Sequence, residues 1–209
     1  MSKKPSYRLH FSFPPGWVQL PVLENKNRFG KDRTVEAWSA TQAREMLGAD
    51  ATREKLEQRA RQLAILTYGA RARGDMYGLA FYAPASSAPA APVALLDVEH
   101  LVRSRGSATI TFDDLRDLYA RPSADTVGDI DAKQVELPIG PALRIHRKHA
   151  EPGEPTGQSL IVEGVTHAIR PPGMDDAVVM VMTWGALHLG DRLTAMADAI
   201  AETVKITAA

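Results

Sequence analysis

The chain has 209 residues, long enough to bury a substantial core, and 44% of them are hydrophobic. Its 25 Lys and Arg residues balance its 25 Asp and Glu residues, so the net charge of zero excludes the electrostatic attraction expected of a general nucleic-acid binder. The absence of cysteine excludes disulfides, thiolate metal sites and a cysteine nucleophile.

The first half of the chain alternates strand-like and helix-like patterns. Alternation predicts a strand at 9–13, and further apolar stretches predict strands at 17–22, 75–83 and 92–98. The first two strands are expected to form a hairpin or a bent β-arm. Helical spacing predicts a helix from about 52 to 72, and the capping-box pair Ser39 and Gln42 predicts a shorter one that ends at Gly48. The Ala/Pro/Ser tract at 84–92 is typical of an exposed loop.

The second half is rich in predicted strands. They fall at 133–137, 142–149, 159–169 and 176–184. Short turns between successive strands predict an antiparallel meander, because parallel neighbours need a long crossover. A helix is predicted to begin at Thr111 with Asp114 in its capping box, and a last helix to follow Asp191 as its N-cap.

The strand at 176–184 is the centre of the predicted fold. Its apolar run is unbroken, which is typical of a strand covered on both faces, so Val179, Val181 and Met182 are expected to be nearly inaccessible. A strand of this kind needs a layer of helices on each side. The sequence therefore predicts an α+β fold, an antiparallel β-sheet flanked by helices on both faces, as a single domain over residues 1–209.

Two motifs add a family resemblance. The first motif is Phe11-Ser12-Phe13-Pro14-Pro15-Gly16-Trp17, and the second is the last helix, from Leu193 to Val204. Between them lie helices, an antiparallel meander and an apolar strand. This order resembles the PsbP-like α/β/α sandwich of actinobacterial proteins of the LpqN and LpqT type. The resemblance implies a binding or assembly module without a shared set of catalytic residues.

One basic cluster stands out, at 144–149. Alternation on a strand places Arg144, His146 and Lys148 on one face, where they are the candidate binding residues for a protein partner with an acidic surface. The alternative is an edge strand whose charges prevent aggregation. His146 and His149 point to opposite faces, and His167 could stand opposite one of them, but we expect no metal site and no cofactor.

No known catalytic motif is present, so no catalytic residue is assigned. A noncatalytic protein-interaction or accessory module is favoured, and the alternative is a small hydrolase-like or ligand-binding enzyme with a His/carboxylate pocket on the hairpin 142–169. The first residues lack the apolar core of a signal peptide, and no run approaches the ~20 apolar residues of a membrane span. We therefore expect a cytoplasmic protein that binds no nucleic acid and has no membrane span, with its oligomeric state left open.

Overall fold

The structure is a computed structural model that describes residues 7–22, 34–73, 77–81, 92–102, 109–152 and 159–208. The helices of these residues are α1 (Val35–Leu47), α2 (Arg53–Arg73), α3 (Phe112–Tyr119) and α4 (Gly190–Glu202). The strands are β1 (Tyr7–His10), β2 (Trp17–Leu20), β3 (Tyr77–Phe81), β4 (Ala94–Leu101), β5 (Thr126–Leu137), β6 (Gly140–Pro152), β7 (Ser159–Ile169), β8 (Ala177–Trp184) and β9 (Lys205–Ala208). The predicted loop at 84–92 lies outside the described residues except for Pro92.

The chain divides into two compact units, one made of Met1–Pro15 with His100–Ala209 and the other of Gly16–Glu99. In the second of these, β2, β3 and β4 pair antiparallel in chain order. Leu20, Trp38, Leu63 and Ala80 form a core with α1 and α2. The prediction of a single domain over 1–209 stays a prediction.

Two expectations for the first half of the chain were wrong. Residues 9–13 and 17–22 do not form a hairpin, since β1 pairs with β9 and β2 pairs with β3. The first helix begins earlier than predicted, because the hydroxyl of Thr34 accepts a hydrogen bond from the amide of Ala37 and serves as the N-cap. Ser39 is therefore a buried residue within α1, while Gly48 ends the helix as predicted.

In the unit that contains the C-terminal half, β5, β6, β7 and β8 form an antiparallel meander in chain order. This confirms the pairing predicted from the short turns. The last helix begins one residue before the predicted cap: Gly190 is its first residue, and no side chain caps it. The helix at Thr111 has the predicted capping box with Asp114.

Helices cover both faces of this meander. On one face, which we call the α3 face, Leu115 of α3 packs with Leu143 and Ile145 of β6 and Val179 of β8. On the other, the α4 face, the helix α4 packs on β7 and β8 and buries its apolar stripe at Leu193, Ala197 and Ile200. The predicted α+β class, an antiparallel sheet with helices on both faces, is confirmed.

The strand β8 is the most thoroughly buried of the meander. Val179 and Met182 are inaccessible, as expected. Val181 is only partly buried, which corrects the expectation for that residue. It lies on the periphery of the cluster around Leu115, where α3 is only eight residues long. None of the helices formed by the described residues has the length and hydrophobicity needed to cross a membrane.

Candidate functional site

The three predicted binding residues share one face of β6, as alternation requires. Arg144, His146 and Lys148 all lie on the α4 face, and we refer to them as the basic row. The strand β6 is paired along both edges, with β5 on one side and β7 on the other. The alternative of a charged edge strand that prevents aggregation is therefore wrong, and the row needs another explanation.

At one end of the row, Arg144 forms an internal ion pair with Asp198. Its Nε donates to Oδ1 of Asp198 at 2.7 Å and its Nη2 donates to Oδ2 at 3.0 Å, a bidentate arrangement. The Nε2 atom of the buried His167 lies 3.0 Å from the same Oδ1. Because Arg144 is nearly inaccessible and fully engaged, it fixes α4 on the sheet instead of offering a charge to solvent.

The electrostatics of this cluster favour the ionised carboxylate. Partial burial by itself would raise the pKa of Asp198, but the hydrogen bonds from His167 and Arg144, together with the charges of both groups, outweigh the burial. The pKa of Asp198 is held well below its ordinary range. The ion pair is therefore intact at neutral pH.

At the other end of the row, a buried carboxylate gathers the remaining residues. The side chain of Glu163 on β7 is 6% exposed. Its Oε1 lies 2.8 Å from Nε2 of His146 and 3.6 Å from Nζ of Lys148, and its Oε2 accepts a hydrogen bond of 3.1 Å from Nε1 of Trp184. A buried carboxylate needs such partners, because an unpaired one is costly to remove from water.

Gly190, the first residue of α4, makes room for this carboxylate. A Cβ atom built on Gly190 would stand 2.6 Å from Oε2 of Glu163, closer than two such atoms can approach. The backbone of Gly190 is in the ordinary right-handed region, so the need for glycine here is steric. A side chain at position 190 would therefore force the carboxylate of Glu163 out of the position in which His146 and Trp184 hold it.

A cavity of about 280 Å³ opens beside these residues. It is lined by Lys148 and Glu163 from the sheet, by residues 187–189 from the segment that leads into α4, and by residues 190–192 from the first turn of α4. We call it the α4 cavity. Its basic members are Lys148, with 45% of its side chain exposed, and Arg192, which is also exposed. Asp191 is its exposed acid.

The two remaining histidines considered in the sequence, His149 and His167, are not opposite each other or His146. His167 stands opposite Arg144 in the register, so it faces neither His146 nor His149 across the strands. His149 is on the α3 face, as predicted for a residue three positions from His146, and its Nε2 lies 3.0 Å from Glu151. Among the described residues, no three His, Asp or Glu side chains form a group suited to a metal ion.

Two carboxylates organise the site, and the sequence assigned neither of them a specific role beyond the alternative of a His/carboxylate pocket on the hairpin 142–169. Glu163 sits within an otherwise apolar run of β7, and Asp198 lies between the buried residues Ala197 and Ile200 of α4. An acid inside an apolar pattern is an available signal, because a buried charge requires a partner. For Asp198 the pattern does not provide the identity of that partner, because it depends on how α4 lies across β6 and β7.

Comparison with known proteins provides little further constraint. No protein-family model matches the chain, and a search of curated proteins finds no significant match. Among solved structures the chain is similar to LpqN of Mycobacterium tuberculosis, described as involved in cell envelope biogenesis, with 13% sequence identity and a TM-score of 0.43 over 97% of this chain and 84% of LpqN. A similarity at this level carries no conclusion about fold, family or function.

Proposed function

We propose that the protein is a noncatalytic binding module that holds an acidic surface of a protein partner at the α4 cavity. The single observation that carries the proposal is the placement of Lys148 and Arg192 on the wall of one cavity, both exposed to solvent. Charged groups at such a position steer an oppositely charged partner and give specificity. A cytoplasmic location is part of this proposal.

The three members of the basic row have different roles in the proposed binding of an acidic partner. Lys148 makes the contact, since its ammonium group reaches the cavity and is only loosely paired with Glu163 at 3.6 Å. His146 is held by Glu163 and supports the wall of the cavity. Arg144 contributes indirectly, by fixing α4 through Asp198 and so positioning Arg192.

Quantitative affinity capture tests the proposal. The full chain is immobilised as wild type, as the double variant Lys148→Gln and Arg192→Gln, and as the control Arg121→Gln, which removes an exposed charge beyond α3 at the opposite face. The amount of each protein captured by both the wild type and the control is expected to fall at least severalfold with the double variant. It is also expected to fall when salt is added. Equal recovery by all three chains, each with an unchanged circular dichroism spectrum, would reject the proposal.

A second function is favoured by one contact. The 2.8 Å distance between Nε2 of His146 and the buried carboxylate of Glu163 resembles the way a carboxylate orients an imidazole for general-base catalysis. A small-ligand enzyme would use this pair at the α4 cavity. A panel of activated esters and phosphate esters, assayed with wild type and with His146→Ala, tests it: turnover that disappears in the variant supports the enzyme, and equal background rates reject it.

A further inference from the structure

The strand β7 runs past the end of β8. Pairing between these strands covers Glu163–Ile169 of β7 and Val178–Trp184 of β8. The preceding residues, 159–162, pair with β6 on one side, and no described strand pairs with their other edge. We refer to this open edge as the β7 edge.

The composition of the β7 edge is unusual for an exposed strand. Proteins normally protect such edges with lysine, proline or a bulge, because unpaired amides and carbonyls recruit other strands. Here Ser159, Leu160, Ile161 and Val162 carry no charge, and Leu160 and Ile161 are 62% and 39% exposed. An unprotected apolar edge is suited to receiving an added strand.

The α4 cavity lies beside the point where this edge begins. Glu163 is both the first residue of β7 that pairs with β8 and a wall of the cavity, and residues 187–189, shortly after the end of β8, form another wall. Ile161, two residues from Glu163, shares the α4 face with it. A strand added beside Ile161 therefore directs alternate side chains to the side of the sheet that holds Lys148 and Arg192.

We infer that the β7 edge receives an extended segment of the protein partner as an added strand, with one acidic side chain of that segment entering the α4 cavity. The inference rests on the proposed function and specifies its binding mode. Charge decides between this occupant and a second copy of the chain. In the cavity, Glu163 is already bound by His146 and Trp184, so the two basic residues, Lys148 and Arg192, outnumber the one exposed acid, Asp191, and favour an acidic side chain. The edge residues 159–162 of a second copy contain no acid.

Selection from a phage-displayed library of random dodecapeptides on the purified full chain tests the inference. Enriched peptides are expected to carry an acidic residue between β-branched or aromatic residues and to lack proline. Resynthesised peptides are then methylated at one backbone amide at a time. A strand donates alternate amides to its neighbour, so affinity is expected to fall about tenfold or more at every second position and little between them.

The variants separate this inference from the proposed function. With Lys148→Gln the preference for an acid is expected to disappear while the period of two in the methylation scan persists. If affinity alternates along the peptide but the preference for an acid does not depend on Lys148 and Arg192, the added strand stands and only the role of the cavity is overturned. No enrichment, or a scan without alternation, would overturn the added strand. A dimer in light scattering would assign the edge to a second copy and overturn the partner segment, if Ile161→Lys abolishes the dimer and Leu118→Lys, at another exposed leucine, leaves it intact.

Discussion

The guanidinium group of Arg144 on β6 donates two parallel hydrogen bonds, of 2.7 Å and 3.0 Å, to the carboxylate of Asp198 on α4. His167 of β7 completes the cluster from the neighbouring strand. Since two strands and a helix meet at one carboxylate, Asp198 is the residue through which α4 is fixed on the sheet.

Replacing Asp198 by Asn is expected to destabilise the fold measurably. The loss should be about 1–3 kcal/mol in the free energy of unfolding, less than the roughly 3–5 kcal/mol of a fully buried broken pair, because solvent screens a partly exposed carboxylate. Asp131→Asn is the matched control, since Asp131 lies 3.7 Å from Arg144 and is 56% exposed. Urea titration at pH 7 measures both, and equal losses would contradict the assignment.

The same cluster predicts a pH dependence. The pKa of Asp198 is lower in the folded chain than in the unfolded chain, so its contribution to stability is complete above the unfolded value of about 3.9 and is lost as the pH falls toward the folded value. Stability of the wild type should therefore fall more steeply below about pH 4 than that of Asp198→Asn. Parallel pH profiles of the two chains would contradict this.

Trp184 is expected to stabilise the fold through its hydrogen bond to Glu163. Trp184→Phe keeps an aromatic ring but leaves Oε2 of the buried carboxylate without its indole donor, at a cost of about 1.5–3 kcal/mol. Trp17→Phe is the control, because Trp17 is also buried and its Nε1 has no hydrogen-bond partner in the part of the chain that the structure describes. Thermal and urea denaturation should show the larger loss for Trp184.

Gly190→Ala is expected to reveal the contact between α4 and Glu163. Alanine normally favours a helix over glycine by up to about 1 kcal/mol, but its Cβ would collide with Oε2 of Glu163. The single variant should therefore be destabilised, and adding Glu163→Ala should reverse the sign of the Gly190 substitution. A double-mutant cycle measures the coupling, and additive effects would show that the two residues do not meet.

The core of the meander can be tested with two valines on one strand. Val179→Ala should cost about 2–3 kcal/mol, from lost transfer energy and a residual cavity, because Val179 is fully buried. Val181→Ala should cost roughly half as much, since Val181 is only partly buried on the same face. Chemical denaturation at one temperature compares them, and the opposite order would contradict the packing around Leu115.

Sequence patterns predicted the parts of the fold that depend on local chemistry. The capping box at Thr111, the apolar run of β8 and the meander from β5 to β8 follow from propensity, periodicity and turn length, and all three are present. The missing hairpin at the start has a different cause. Its first strand finds its partner in β9, nearly two hundred residues away, and no local pattern encodes such a pairing.

The candidate site was predictable only in part. The alternation that places Arg144, His146 and Lys148 on one face is a local property of β6 and is correct. Whether a charge on that face meets solvent or a partner depends on the helix laid over it. Asp198 removes Arg144 from the surface, whereas Lys148 lies beside the cavity at the start of α4 and stays accessible.

The contact between Gly190 and Glu163 has a consequence for recognising relatives of this protein. A larger residue at position 190 would displace the carboxylate of Glu163 from the packing described above, so the two positions should vary together across homologues. Trp184 should vary together with these two positions, because its indole N–H donates a hydrogen bond to the carboxylate of Glu163. A glycine, a glutamate and a tryptophan at these spacings would therefore distinguish chains that carry the cavity from chains that share only the architecture.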